Sequence, residues 1–208
     1  SDGQKMLVSN TSKNEMVIYS LSTYEKLATI SLAQIPSNIV VFNNLAYVIS
    51  INGKKMTIIS TDDNSVVSQN DLSFFPGKLA ISADGDVLYT FDQVNLDLVL
   101  LNSSNFEIIK RISKSITGGI SGELTFNSGS DELFICDSKG KTVKVIDKLG
   151  NQLSNYFEDG FVRFRFTSTS RHDDPAPKIM HQLMYLLPAK IFHELGALIN
   201  SSMLFFNS

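Results

Sequence analysis

Apolar residues occur in short strand-like segments along most of the chain, and these segments recur at a near-constant interval. Four apolar segments open equivalent units, at Leu7–Asn10, Tyr47–Ser50, Leu88–Phe91 and Leu133–Cys136. The second residues of these segments follow one another at intervals of 40, 41 and 45 positions, at Val8, Val48, Tyr89 and Phe134. A repeat of this length decides the whole fold, so it takes precedence over any local pattern.

Each unit predicts four short strands. A second apolar strand follows ten residues after each reference position, centred on Ile18, Ile58, Val99 and Lys144. A third, more polar strand is predicted in residues 24–32, 65–72, 106–113 and 151–157, and a fourth piece precedes the next unit in residues 38–42, 78–82, 123–126 and 161–166. The turns between the first two strands are rich in Asn, Gly and Lys, and Asn and Gly supply the positive φ of tight hairpins.

The composition of these segments indicates an all-β fold. Ile, Val, Thr, Phe and Tyr dominate them, and turn residues recur every 8–12 positions. Pro36 and Pro76 stand just ahead of predicted strands, where a missing N–H does least harm. Four short strands in about 40 residues are typical of a β-propeller blade. We therefore predict a repeat domain in residues 1–166 with about four four-stranded antiparallel blades, forming a partial or small propeller.

Two stretches resemble known propeller families. Residues 76–90 resemble the blade signature of YVTN-type propellers, with a proline, an apolar strand, the Asp84-Gly85 hairpin and a Tyr-Val-like strand. Residues 131–150 are similar to an NHL-type blade. The resemblance covers residues 5 to about 166 and implies the fold without implying one chemistry, because both families include binding proteins and some enzymes. The chain has no Trp, so it lacks the Trp-Asp dipeptides of WD40 propellers.

The number of units leaves two arrangements open. Propellers of these families usually carry six or seven blades, whereas four units can be counted here. We therefore favour an incomplete or fragmentary propeller over a closed ring of four blades. In the alternative arrangement, residues 161–166 supply the inner strand that is missing before Leu7, so that the ends of the domain pair and few sheet edges stay open.

The pattern changes after Phe166. Residues 167–177 predict a linker, and residues 178–208 predict an amphipathic helical tail in two short helices separated by Pro188. A membrane span is not predicted, because Lys190, His193 and Glu194 interrupt the apolar stretch. Three interpretations stay open: a cap over a sheet edge, a helix that contacts a partner or a membrane surface, and a tail that comes from an altered reading frame or is foreign to the domain.

Charge and cysteine content argue against nucleic acid as a binding partner and exclude little else. The chain of 208 residues has a net charge of −3, and its basic pairs, such as Lys54-Lys55 and Lys110-Arg111, are scattered rather than clustered, so nucleic-acid binding is not predicted. The one cysteine, Cys136, is predicted to be a small buried hydrophobe on a strand. Asn-x-Ser/Thr sequons permit a secreted origin, and a secreted or periplasmic location is slightly favoured over a cytoplasmic one; these sequons begin at Asn10, Asn102 and Asn200.

Most catalytic motifs are missing from the repeat region. All three histidines lie in the tail, at His172, His181 and His193, and the second His that a metalloprotease helix requires after His193-Glu194 is replaced by Ala197. Residues 118–122 predict a flexible connection between blades rather than a phosphate loop. Asp84-Gly85-Asp86 predicts a hairpin and Asp62-Asp63-Asn64 a turn, without a calcium ligand set. No cofactor or metal is predicted.

Carboxylates are the remaining candidates for chemistry. Their recurrence next to turns favours solvated loop charges over ligands of a channel cation, at Asp92, Asp97, Asp137 and Glu123. We assign no catalytic, cofactor-binding or metal-binding residue. The leading hypothesis is a non-enzymatic binding or scaffold module that uses loop surfaces to contact a protein partner, and its oligomeric state is left open. The alternative is a lactonase-like propeller hydrolase with a divalent cation in the central channel.

Overall fold

The computed structural model describes residues 4–50, 52–117, 123–137 and 139–157, and within these ranges every regular element is a β-strand. The first sheet contains β1 (Lys5–Asn10), β2 (Glu15–Ser20) and β3 (Lys26–Ser31). The second contains β4 (Pro36–Phe42), β5 (Leu45–Ser50), β6 (Lys55–Ser60) and β7 (Ser65–Asp71). The third contains β8 (Pro76–Ile81), β9 (Val87–Asp92), β10 (Asp97–Asn102) and β11 (Ile108–Ile112). The fourth contains β12 (Glu123–Asn127), β13 (Glu132–Asp137), β14 (Thr142–Asp147) and β15 (Gln152–Phe157).

The strands follow the predicted repeat. Within each sheet, consecutive strands pair antiparallel in chain order. The all-β prediction of blade-like four-stranded units is confirmed, with three strands described in the first sheet and four in each of the others. Pro36 and Pro76 are the first residues of β4 and β8, so these strands begin two residues before the predicted ones. The strand predicted in residues 161–166, the linker 167–177, the tail 178–208 and the glycines of residues 118–122 lie outside the described residues.

The sheets stack on one another through apolar clusters. One cluster joins the first and second sheets, through residues such as Met16 and Val48. The next two clusters join the second sheet to the third, around Tyr47 and Leu88, and the third sheet to the fourth, around Tyr89 and Leu133. The first strands of the last three sheets, β4, β8 and β12, lie side by side as the inner strands of the stack. Among the described strands, the fourth sheet makes no comparable contact with the first, so the four sheets form an open series.

The first sheet lacks an inner strand among the described residues. Leu7 pairs with Ile18 just as Tyr47 pairs with Ile58, so β1 corresponds to β5, the second strand of its sheet. Val8 of β1 is 38% exposed, whereas its counterpart Val48 of β5 is 1% exposed. The face of the first sheet that points away from the second sheet is therefore uncovered around Val8, in contrast to the same face of the second sheet.

Every outer strand carries a β-bulge at an equivalent position. In β7, for example, Val66 pairs with Ile59 and Ser68 with Ile58, which leaves Val67 without a partner in the ladder. The same register shift leaves one residue unpaired in each of the other outer strands. The four bulged residues are Leu27, Val67, Ile109 and Leu153, with exposed fractions of 46%, 55%, 52% and 54%. The outer edge of the stack is thus interrupted once per sheet.

Candidate functional site

The antiparallel order of the strands gives the stack two ends. We call the end at which the inner strands begin the upper end. It carries the turns between the second and third strands of each sheet. The lower end carries the turns between the third and outer strands, at residues 21–24, 61–64, 103–106 and 148–150. The four carboxylates that the sequence suggested for chemistry all lie toward the upper end.

Asp92 is the most enclosed of these carboxylates. It ends β9, is 1% exposed, and accepts hydrogen bonds from the Val94 N–H at 3.0 Å and from the Asn95 side chain at 2.8 Å. Arg111 of the outer strand β11 donates to the same carboxylate at 3.0 Å and lies over the Phe74 ring, 5.0 Å from its centroid. Asp92 therefore holds its own hairpin turn and ties that turn to the outer strand of its sheet.

These contacts determine the charge state of Asp92. Burial alone would raise the pKa of the carboxyl, but the hydrogen bonds that it accepts outweigh burial and hold the pKa below its ordinary value. Asp92 is consequently an ionised, structurally engaged group at neutral pH, and it is unsuited to act as a protonated general acid.

Asp137 occupies the corresponding place at the end of β13. It is 2% exposed and accepts hydrogen bonds from the Thr117 N–H at 2.7 Å, from the Thr117 hydroxyl at 3.0 Å and from the Gly140 N–H at 2.9 Å. The interpretation of Asp92 and Asp137 as solvated loop charges is therefore wrong. Both side chains are buried because they bond N–H groups that the turns and connections leave without a strand partner.

The other two carboxylates, Asp97 and Glu123, also form polar contacts. Asp97 accepts a hydrogen bond from the Lys114 N–H at 3.1 Å and lies 3.8 Å from the Arg111 guanidinium. Glu123, at the start of the inner strand β12, forms an ion pair of 2.7 Å with Lys78 of the neighbouring inner strand β8. The four side chains are thus placed in separate contacts between turns, strands and sheets. Among the described residues, no three His, Cys, Asp or Glu side chains gather to hold a metal ion.

The remaining sequence predictions in this region concern single residues. Cys136 lies on β13 and is buried, which confirms its predicted role as a small core residue, and burial together with the charge of Glu123 raises the pKa of its thiol. The hairpin predicted at Asp84-Gly85-Asp86 joins β8 and β9, with Gly85 at a φ of +81°. The turn predicted at Asp62-Asp63-Asn64 joins β6 and β7. No helix in the part of the chain that the structure describes is long and apolar enough to cross a membrane.

The lower end presents a different kind of surface. Each of the four turns that lead into an outer strand ends in a residue with positive φ: Tyr24, Asn64, Phe106 and Gly150. Asn and Gly adopt this conformation readily, whereas an aromatic residue does so at a cost. Tyr24 nevertheless has a φ of 60° and is 78% exposed. Its ring is thus displayed at the tip of a turn rather than packed against the strands that the structure describes.

Local hydrogen bonds hold the Tyr24 turn in place. The Tyr24 N–H donates to the Ser20 carbonyl at 3.0 Å, and the Ser20 hydroxyl accepts from the Thr23 N–H at 3.2 Å. The turn also exposes Leu21, and the corresponding turn of the fourth sheet exposes Leu149. Tyr24 is not among the residues predicted from the sequence, because an aromatic residue gives no signal for positive φ. The alignment of the repeats would have found it, since Asn64 lies 40 positions later in the same place.

Comparison with known proteins identifies the class of fold. The chain is similar to virginiamycin B lyase from Staphylococcus aureus, with a TM-score of 0.61 and 15% identity over 75% of this chain and 53% of that one. It is similar to Sqt1 from Saccharomyces cerevisiae, with a TM-score of 0.64 and 10% identity over 82% of this chain and 49% of that one. The WD40 domain of Toxoplasma gondii coronin gives a TM-score of 0.63 and 9% identity over 80% of this chain and 47% of that one.

The stacked antiparallel sheets and these neighbours show a β-propeller fold. The chain spans about half the length of the solved structures it matches. No protein-family model matches the chain, and no curated protein matches it in sequence. At these identities the likeness concerns the fold, so the assignment to a YVTN-type or NHL-type propeller stays a prediction.

Proposed function

We propose that this chain is a non-enzymatic protein-binding or scaffold module, and that the turns of its lower end form the recognition surface. Tyr24 is the observation that carries the proposal. A tyrosine fixed at a turn offers a large contact area and a polar tip at little cost in side-chain entropy, and such residues dominate the energetics of protein interfaces.

The backbone of Tyr24 strengthens this argument. A left-handed conformation costs a residue with a side chain about 1 kcal/mol, and such strain tends to occur at functional positions. Asn64 and Gly150 occupy equivalent turns of the same chain without that cost, and Phe106, the other aromatic residue at such a turn, packs against the cluster between the second and third sheets. The exposed ring of Tyr24 gains no comparable burial, so a sequence shaped only by stability would be expected to carry Asn or Gly at position 24. Exposed Leu21 beside it provides apolar surface that a partner could cover.

The upper end supports a binding role over the hydrolase alternative. A channel cation would need several carboxylates free to turn toward one point. Asp92 and Asp137 instead bond the N–H groups of their own surroundings, and Glu123 is paired with Lys78. Recruiting them to a cation would disrupt these contacts.

A matched pair of variants tests the proposed surface. Tyr24→Asn removes the ring and relieves the strained φ, so we expect the variant to be as stable as the wild type or up to about 1 kcal/mol more stable. Tyr24→Phe keeps the ring. Each immobilised protein is exposed to an extract of its native host, and the retained proteins are quantified by mass spectrometry.

We expect a specific set of proteins to be retained by the wild type and by Tyr24→Phe, and to fall at least about tenfold on Tyr24→Asn, the range typical of an interface hot spot. Equal retention by Tyr24→Asn, or no retention by the wild type above an unrelated immobilised protein, would overturn the proposal.

The hydrolase alternative has its own measurement. A cation that binds only the folded chain raises the melting temperature once its concentration exceeds the dissociation constant. We expect millimolar calcium or magnesium to leave the melting temperature unchanged. A rise that saturates with metal concentration would favour the hydrolase.

A further inference from the structure

The bulges of the outer strands interrupt the edges that are most prone to pair with another chain. An edge strand displays a row of free N–H and C=O groups, and a flat, apolar edge acts as a template for further strands. In β7 and β11 the bulge falls within an exposed pair of β-branched residues, Val66-Val67 and Ile108-Ile109. These are the residue types with the highest preference for strands.

The bulge recurs although the residues around it differ. It lies three positions after the positive-φ residue of the preceding turn in each sheet, for example at Leu27 after Tyr24 and at Leu153 after Gly150. The residue types at the turn position range from tyrosine to glycine, so the turn sequence alone does not dictate the bulge. Because the bulge is present in all four outer strands although the turn residues differ, it indicates a requirement that the outer edges share.

We propose that the four bulges keep the outer edges of the stack from pairing with strands of other molecules. The extra residue breaks the alternation of free N–H and C=O groups along the edge and increases the local twist, so a straight incoming strand meets the ladder in register on one side of the bulge only. This surface is distinct from the turn that carries Tyr24, so the proposal stands independently of the proposed function.

Deletion of Val67 tests the proposal directly. It brings Val66 and Ser68 next to each other, and their partners Ile59 and Ile58 are already adjacent, so a regular ladder forms without reversing either face of β7. We expect the deletion variant to keep its β-sheet circular dichroism. We also expect its sedimentation coefficient to rise with protein concentration, well beyond any rise seen for the wild type.

Two further variants isolate the cause. Val67→Ser keeps the bulge and removes the exposed apolar side chain, so we expect it to sediment as the wild type does. Adding Gln69→Lys to the deletion places a charge on the regular edge, and we expect it to reverse most of the association. Deletion of Ile109 repeats the test in the third sheet. The proposal is overturned if both deletions sediment as the wild type does, or if both abolish the β-sheet signal, which would make the bulges a requirement of folding instead.

Discussion

Two buried polar side chains that lie two residues apart on β9 differ in how many hydrogen bonds their surroundings provide. Asp92, at the end of the strand, accepts hydrogen bonds from its own turn and from Arg111. Thr90 lies within the same strand, between Leu79 and Val99 in the register, and is fully buried. Its hydroxyl has no hydrogen-bond partner among the residues that the structure describes. The polar side chain of Asp92 therefore stabilises the fold, whereas the buried hydroxyl of Thr90 costs stability.

Replacing Thr90 should therefore stabilise the protein. Thr90→Val keeps the shape of the side chain and removes a buried, unpartnered hydroxyl, so we expect the free energy of unfolding to rise by about 1 kcal/mol. Thr90→Ser is the matched control, since it keeps the hydroxyl and loses a methyl group, and should lower stability by about 1 kcal/mol. Urea unfolding of the three proteins measures both changes. A loss of stability in Thr90→Val would show that the hydroxyl makes a favourable contact.

Asp92 gives a prediction with a defined pH dependence. Its pKa is lower in the folded protein than in the unfolded chain, so its ionised form stabilises the fold above the unfolded value of about 3.9, and this contribution is lost as the pH falls through the folded value. Asp92→Asn should cost about 2 kcal/mol at pH 7, because Arg111 loses its closest carboxylate. The difference between variant and wild type should shrink in acid below about pH 4. A difference that stays constant from pH 7 to pH 3 would show that lost packing rather than lost charge is responsible.

At the scale of the strand and turn, the sequence revealed the ladders but not their irregularities. Alternating apolar residues and regular spacing located the described strands to within a few residues, because side chains on a half-buried sheet must alternate. The bulges were not predicted, although the consecutive apolar residues Val66-Val67 and Ile108-Ile109 interrupt the alternation at those places. Positive φ at Gly85 was foreseeable from its Asp-Gly context, whereas at Tyr24 and Phe106 it depends on the turn as a whole.

The hairpin that contains Gly85 packs closely against Phe42, the last residue of β4 in the neighbouring sheet. A Cβ at this position would lie 2.2 Å from the Phe42 ring, and the φ of +81° adds strain for any side chain. We expect Gly85→Ala to lower the free energy of unfolding by about 2–4 kcal/mol through strain and overpacking. Gly77→Ala is the control, because its Cβ would meet its nearest neighbour at 3.4 Å. It should cost less than about 1 kcal/mol in the same thermal or urea unfolding experiment. If both variants lose the same free energy of unfolding, the contact with Phe42 is not the cause.

At the scale of the whole molecule, repetition predicted four stacked sheets, and the geometry of their ends could not be predicted. Whether the first and fourth sheets meet depends on the small rotation between each sheet and the next. A single sequence does not encode that rotation in any local pattern. The candidate carboxylates show the same limit. Their position beside turns was visible in the sequence, but the burial of Asp92 and Asp137 arises from Arg111 and Thr117, which lie 19 and 20 residues away. Contacts between elements, rather than residue types, decided that these groups are structural.

The uncovered face of the first sheet allows the arrangement of the ends to be measured in solution. Val8 and Val48 occupy equivalent positions, but the first is 38% exposed and the second 1%. Removing two methyl groups from a buried valine costs about 2 kcal/mol, so Val48→Ala should lower the free energy of unfolding by that amount. Val8→Ala should cost less than about 0.5 kcal/mol, the range of ordinary surface substitutions. If Val8→Ala proves as costly as Val48→Ala in urea unfolding, the face is covered in solution. Repeating the measurement over a range of protein concentrations then distinguishes a cover supplied by a second molecule from one supplied by the same chain.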